Sequence, residues 1–222
     1  MSREGWRRAY REAPDVLDAF ARAEDPDGRI AARLVALGAL RDARVLEIGA
    51  GTGRLAARLA PHCGSYTGLE PADPLRALAT RHLEGIPRAR LVKAGAQALP
   101  FPDGAFDAAV AAWVFAHLPA ALRDTAVAEA RRVAGRLLLV ESGTGGEFQE
   151  LRRLSGADPD EELARLTQAG FVVLERIETA IVFDDVATAR YTIGFLCGDG
   201  AARELTARPR ARIGHDVLLL GA

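Results

Sequence analysis

The stretch VLEIGAGTGRLA, residues 45–56, constrains the fold more than any other part of the chain. It opens with a short apolar run, which suits a strand buried on both faces of a parallel sheet. Three alternate glycines follow, Gly49, Gly51 and Gly53, and then a helix-forming run. Glycine tolerates positive φ and carries no Cβ to block a ligand. The helix start beyond such a turn offers unpaired N–H groups and the positive end of its dipole to polar or anionic groups. Glu70 stands 21 positions after Gly49, at the end of the next strand-like run, SYTGLE. A carboxylate at that offset accepts both hydroxyls of an adenosine ribose. Strand, glycine turn, helix, strand and terminal acid together predict an adenosine-type ligand.

The spacing narrows the ligand class. A dinucleotide fingerprint reads G-x-G-x-x-G, and here Arg54 occupies the third glycine position. This disfavours NAD. The GxxxxGK[ST] pattern of triphosphate-binding loops does not occur.

The rest of the chain repeats strand and helix patterns at the spacing of a parallel sheet with right-handed crossovers. Strands are predicted at 43–48, 65–70, 89–94, 106–114 and 136–141, with helices at 53–61, 73–83 and 119–133. A helix at 159–169 leads into an extended run at 170–178, then a helix at 185–196 and a last extended run at 213–220. Those two runs are expected to close the sheet as an antiparallel pair. Ahead of the sheet, residues 3–23 read as an amphipathic helix, 24–28 (EDPDG) as a break and 29–40 as a second helix ending near Gly38.

Composition excludes several classes. The 222 residues carry a formal net charge of −1, without the basic excess of a nucleic-acid-binding surface. The small N-terminal cluster of Arg3, Arg7, Arg8 and Arg11 is followed closely by acids and reads as a solvated helix face. Cys63 and Cys197 form no CxxC, so neither a disulfide framework nor a zinc site is expected. No apolar run is long enough for a membrane span, and the charged N-terminus lacks a signal-peptide core. A cytoplasmic protein without a metal is expected.

VLEIGAGTG resembles the first motif of the class I S-adenosylmethionine (SAM)-dependent methyltransferases. ALPFPDGAFDAAVAAWVFAHL, residues 98–118, is similar to their LPF-x-D-x-x-FD-x-V segment, in the branch that includes the ubiquinone and menaquinone methyltransferases. EARRVAGRLLLVE, residues 129–141, is similar to the helix and fifth strand that follow. The resemblance covers about residues 40–175. It implies an α/β, Rossmann-like three-layer sandwich. Its mostly parallel seven-stranded sheet has an antiparallel last strand, and a helical lid at residues 1–40 precedes a SAM-binding domain at 41–222. It further implies that Glu47 and Gly49 face the methionine end of SAM and that Gly51 and Gly53 admit the cofactor. Glu70 would hold the ribose, Ala96 and Gln97 the adenine edge, and Trp113 would lie beside the methionine arm. Many relatives carry an Asp before the adenine-edge pair, where this chain has Gly95, so Gln97 or backbone carbonyls take over that bond or adenine is held more loosely.

Methyl transfer from SAM to a small-molecule acceptor, with S-adenosylhomocysteine as product, is the activity implied. Two alternatives stay open: a non-catalytic SAM-binding relative and an NAD-dependent oxidoreductase. His117, after the fourth strand, is the candidate general base. His62, His82 and His215 read as remote from the site. Trp6, Tyr10 and Glu141 are candidate substrate contacts, together with SGTGGEF (142–148), whose glycines suggest mobility, and the region near Phe183, Tyr191 and Phe195. The absence of (D/N)PP(Y/F) after the fourth strand argues against methylation of DNA bases. A homodimer is compatible with the sequence.

Overall fold

The structure is a computed structural model that describes residues 3–38 and 40–222, without the side chains of Arg3 and Glu4. Residues 1, 2 and 39, which belong to the segment expected as a lid, lie outside the described residues.

The predicted alternation forms a seven-stranded sheet. Its strands are β1 (Arg44–Ile48), β2 (Ser65–Leu69), β3 (Ala89–Val92), β4 (Ala108–Ala112), β5 (Leu137–Ser142), β6 (Val172–Val182) and β7 (Arg212–Gly221). The order is β3-β2-β1-β4-β5-β7-β6, with β7 antiparallel to both of its neighbours. The sequence direction of the sheet reverses between β1 and β4, where open α/β sheets form their ligand crevice.

Alternation along the strands buries both faces. Leu46, Ile48, Ala109, Leu137 and Leu139 pack with α6 (Ala120–Val133) and α8 (Pro159–Gln168). Val45, Tyr66, Val110, Leu138 and Val140 pack with α3 (Arg29–Ala36) and α4 (Arg54–Leu59) on the opposite face. This makes three layers, with α5 (Asp73–His82) following β2.

A third cluster roofs the sheet. It joins α1 (Arg3–Glu12), α2 (Pro14–Ala23), α7 (Glu147–Arg153), α9 (Val186–Cys197) and α10 (Asp199–Ala207) through Ala9, Leu17, Phe20, Phe148, Ile193 and Leu205. Burial of each large apolar side chain contributes roughly 1.5–3 kcal/mol. The single helix expected over 3–23 is two, parted at Ala13. Pro14 disfavours helical backbone at the residue before it and begins the next helix instead. Asp25 fixes the break that follows, accepting the backbone N–H groups of Arg29 and Ile30 and the hydroxyl of Thr179 on β6.

Two helices, α7 and α10, were not expected. α7 starts directly after the run GTGG, and α10 starts inside the run GDG, at Asp199; these turn signals mask both short helices. The 142–148 stretch is tied to its neighbours by hydrogen bonds. The Gly143 N–H donates to the Asp216 carbonyl at 2.7 Å, and Gln149 Nε2 donates to the Gly143 carbonyl at 2.5 Å.

The connection from β3 to β4 is anchored by charge. Arg132 on α6 donates to the Leu99 and Phe101 carbonyls and pairs with Glu129 and Asp103. Glu129 also accepts the Leu99 N–H at 2.8 Å. These bonds, those of Arg132 first, hold the Glu129 carboxyl down at about 2. A depressed carboxylate stabilises the fold above its unfolded value and loses that stabilisation as pH falls through its folded value. Glu129→Gln is therefore expected to destabilise by about 1 kcal/mol at neutral pH, a figure discounted for partial exposure. The deficit should shrink from about pH 4.5 down to about pH 2. Urea unfolding at several pH values measures it, and a pH-independent deficit would contradict the assignment.

Candidate active site

A cavity of ≈ 560 Å³ lies between the roof and the C-terminal ends of β1, β2, β4 and β5. This size falls in the range for small-molecule sites. Glu47, Gly49, Gly51, Glu70, Ala96, Gln97, Trp113 and His117 line it, as do Trp6 and Tyr10 from the roof. The expected cofactor contacts therefore converge, with one exception. Gly53 caps α4 outside the wall.

The two inner glycines of the turn do different work. Gly51 has φ +55, and nothing lies within 4 Å of where its Cβ would stand, so that space is open. Gly53 has φ +84, and its Cβ would stand 2.7 Å from Ala79 Cα on α5. Gly53 lets two helices approach. Gly51→Ala is expected to destabilise by ~1 kcal/mol through backbone strain alone. Gly53→Ala adds an overpacking penalty and is expected to cost ~2–4 kcal/mol. Chemical denaturation distinguishes them, and equal losses would remove the packing role.

Glu70 ties the turn to the second strand. Its Oε2 accepts the Gly51 N–H at 2.9 Å and its Oε1 the Ala72 N–H at 2.8 Å. Each oxygen keeps one lone pair for a ligand. Burial raises its pKa, against the lowering effect of these two N–H groups. From behind, His82 Nδ1 meets the Thr52 carbonyl at 2.7 Å, so this histidine supports the turn from outside the cavity.

The Gly95 departure has a structural counterpart. A Cβ at Gly95 would stand 2.8–3.1 Å from the carboxamide of Gln97. The Gln97 amide occupies the space beside residue 95 into which an aspartate would project.

Carboxyl groups crowd the inner wall. Glu47 accepts the Tyr66 hydroxyl at 2.8 Å, and burial pushes it up to about 7. Glu24, at 3% exposure, pairs with Arg54 at 2.9 Å and is pushed up to about 7, again by burial. Glu141 is pushed up to about 8 by burial and accepts the Ala116 N–H at 3.3 Å. It lines a small pocket next to the main cavity, with Trp113, His117 and Arg152. Tyr10 shows 41% of its surface, yet burial of its hydroxyl, followed by the charges of Glu70, Glu141 and Glu24, pushes its pKa up to about 12.

Trp113 is the pivot of the inner end. It holds φ +54, a strained value for a bulky side chain. Its N–H reaches the Val140 carbonyl at 2.8 Å, and its indole Nε1 donates to Ser142 Oγ at 3.1 Å. The Arg54 guanidinium lies 5.4 Å over its ring.

His117 sits exposed at the cavity wall, on a single turn of 3-10 helix, Phe115–His117. His215 is not remote, contrary to the sequence reading. Its Nε2 lies 3.0 Å from Ser142 Oγ, and Ser142 lines the cavity. No local signal marks His215, because only the insertion of β7 beside β5 brings it there. Phe183, Tyr191 and Phe195 stay outside the wall, with Tyr191 64% exposed. Among the described residues, no cluster of His, Cys, Asp or Glu suits a metal ion, and no helix is long and apolar enough to cross a membrane.

A family model described as a methyltransferase domain matches residues 45–135. A demethylmenaquinone methyltransferase of Thermus thermophilus is 39% identical over 105 residues, 44% of this chain and 46% of that protein. A malonyl-[acyl-carrier protein] O-methyltransferase of Geobacter sulfurreducens is 34% identical over 160 residues, 68% of this chain and 58% of that protein. The chain thus spans about half the length of the curated relatives it matches. The structure of a magnesium protoporphyrin IX methyltransferase from Synechocystis, solved with bound SAM, shares the fold at TM-score 0.55 and 16% identity, over 98% of this chain and 89% of that one. Residues 45–135 thus match a methyltransferase domain, and the chain is similar over overlapping stretches to methyltransferases named for different acceptors.

Proposed function

We propose that the protein transfers a methyl group from SAM to a small-molecule acceptor. The observation that carries this reading is the pairing of Gly51 with Glu70 along a cavity that continues past Trp113. The residues present fit the cofactor. Gly51 leaves open space, and each Glu70 oxygen retains a lone pair for a ribose hydroxyl. Gln97 offers its carboxamide at the adenine edge, and Glu47 and Gly49 flank the methionine end.

Charge supports a cationic ligand. Glu24, Glu47 and Glu141 all have pKa values raised by burial, and a positive sulfonium beside them favours their ionised forms. SAM supplies an activated methyl group. The chain supplies orientation, which alone contributes ~7–11 kcal/mol to such reactions. The two curated relatives are named for demethylmenaquinone and for malonyl-[acyl-carrier protein]. We take the acceptor here to be a small molecule held under Trp6 and Tyr10, beneath a lid built from the N-terminal helices. Unpaired Cys63 and Cys197 fit a reducing cytoplasm.

Thermal unfolding with SAM, S-adenosylhomocysteine and NAD in separate samples tests the reading. A ligand at 100 times its dissociation constant stabilises by ~2.7 kcal/mol, which raises Tm by roughly 5–11 °C at this chain length. The two adenosyl ligands are expected to shift Tm and NAD is not. Glu70→Ala should weaken S-adenosylhomocysteine by ~10–100-fold, and unchanged affinity in a folded variant would sink the ribose assignment. Ionisation of Glu47 and Glu141 as pH rises should favour the cationic ligand over its neutral product. Calorimetry between about pH 6 and about pH 8 is expected to show the SAM to S-adenosylhomocysteine affinity ratio increasing. A flat ratio would remove these carboxyls from the sulfonium environment.

A further inference from the structure

Three side chains from distant parts of the sequence meet at the inner end of the cavity. Ser142 closes β5 and faces the cavity. His215, on adjacent β7, has no side-chain exposure, and its Nε2 lies 3.0 Å from Ser142 Oγ. On the other side of the imidazole, Nδ1 makes no in-line hydrogen bond, and Glu24 Oε1 stands 3.3 Å away. Arg54 holds Glu24 at 2.9 Å.

Donor and acceptor counting sets the direction of this chain. The Trp113 indole N–H is a donor only, so it takes one lone pair of Ser142 Oγ. A neutral imidazole has one N–H and one lone pair. A lone pair on Nδ1 would face the Glu24 carboxylate in a site where both side chains are buried. The Nδ1–H tautomer turns that repulsion into attraction and leaves the Nε2 lone pair to accept the Ser142 hydroxyl proton. Ser142 then keeps one lone pair, free for a donor in the cavity. Burial first, then Arg152 and Arg54, hold the His215 pKa down at about 3, so the ring rests neutral.

We propose that Ser142, His215 and Glu24 form a proton relay for an acceptor that carries a hydroxyl group on an apolar body. This rests on the methyltransferase reading above. The acceptor hydroxyl donates to Ser142, with its body against Trp6, Leu17, Phe20 and Phe148. Its oxygen lone pair forms the new O–CH₃ bond, while the electron pair of the broken S–CH₃ bond stays on sulfur. The acceptor's proton passes to Ser142 Oγ as the Ser142 proton passes to His215 Nε2. The charge lost from the sulfonium thus reappears on the imidazolium, beside Glu24. A protonated ether is a far stronger acid than even this depressed imidazole, so the transfer runs downhill. The imidazolium returns its proton through Ser142 once product leaves. In this scheme Ser142 is the catalytic residue, and His215 and Glu24 are positioning residues that act through it.

The test uses the full chain with ¹⁵N-labelled histidine and bound S-adenosylhomocysteine at about pH 8, above the raised value of Glu24. Long-range ¹H–¹⁵N NMR identifies His215 as the signal missing from His215→Gln. The Nδ1–H tautomer is expected, with a Nε2 resonance that moves in Ser142→Ala. An Nε2–H tautomer overturns the relay. The kinetic arm uses 1-naphthol, 4-propylphenol and 1-octanol as acceptors. Ser142→Ala should lower kcat about 100-fold near pH 6.5, with KM and S-adenosylhomocysteine affinity held within a few-fold. For the phenols the deficit should fade as pH approaches their own ionisation, because a phenolate needs no base. For the phenols a deficit equal at every pH overturns the proposal, as does cofactor binding without turnover of any hydroxyl compound. Absence of S-adenosylhomocysteine binding to the wild-type chain would instead overturn the methyltransferase reading, and the tautomer measured without ligand would still judge the relay.

Discussion

The Glu70 carboxylate is the constraint on which the site depends. One oxygen holds the glycine turn through Gly51, and the other holds the start of α5 through Ala72. The Ala50 N–H adds a bond to the Leu69 carbonyl at 2.7 Å, so the turn and the end of β2 move as one. A carboxylate that accepts two backbone N–H groups is positioned before any ligand arrives. It still keeps acceptor capacity facing the cavity. Removing it would free the turn and the helix start together.

Around that anchor the cavity is charged in a biased way. Glu24, Glu47, Glu70 and Glu141 are all nearly inaccessible to solvent, and burial is the first cause of the raised value for each. Arg54 offsets Glu24, and Arg152 is taken up by a two-pronged contact with Glu162 at 2.8 Å. A buried carboxyl favours its neutral form until a cation approaches. The same carboxyls that weaken the empty protein as pH rises therefore favour a positively charged ligand.

The roof packs an aromatic cluster over this end of the sheet. Phe20 packs edge to face with Trp6 at 5.2 Å and against Phe148 at 5.6 Å, and Phe148 meets the His215 ring at 4.9 Å. These aromatics shape the apolar part of the cavity and keep water from the buried histidine. The strained backbone of Trp113 persists because its N–H, its indole and its ring face each have a partner.

The sequence by itself determined the strand order of chemistry along β1 and β2, because glycine spacing and a terminal acid act through local backbone geometry. It also determined most helices and strands, because apolar periodicity reports burial directly. The Pro14 break was written in the sequence too, although amphipathic periodicity ran across it. Tertiary structure alone decided that Gly53 packs a helix while Gly51 faces the cavity, since both sit at positive φ and differ only in what lies beside them. It alone brought Glu24, Ser142 and His215 together, and it alone set the Gln97 amide beside Gly95. For Glu24, Ser142 and His215 the physical reason is their separation along the chain. Contacts between residues more than 70 positions apart depend on how β7 inserts beside β5 and how the roof settles on the sheet, and no local pattern encodes that placement.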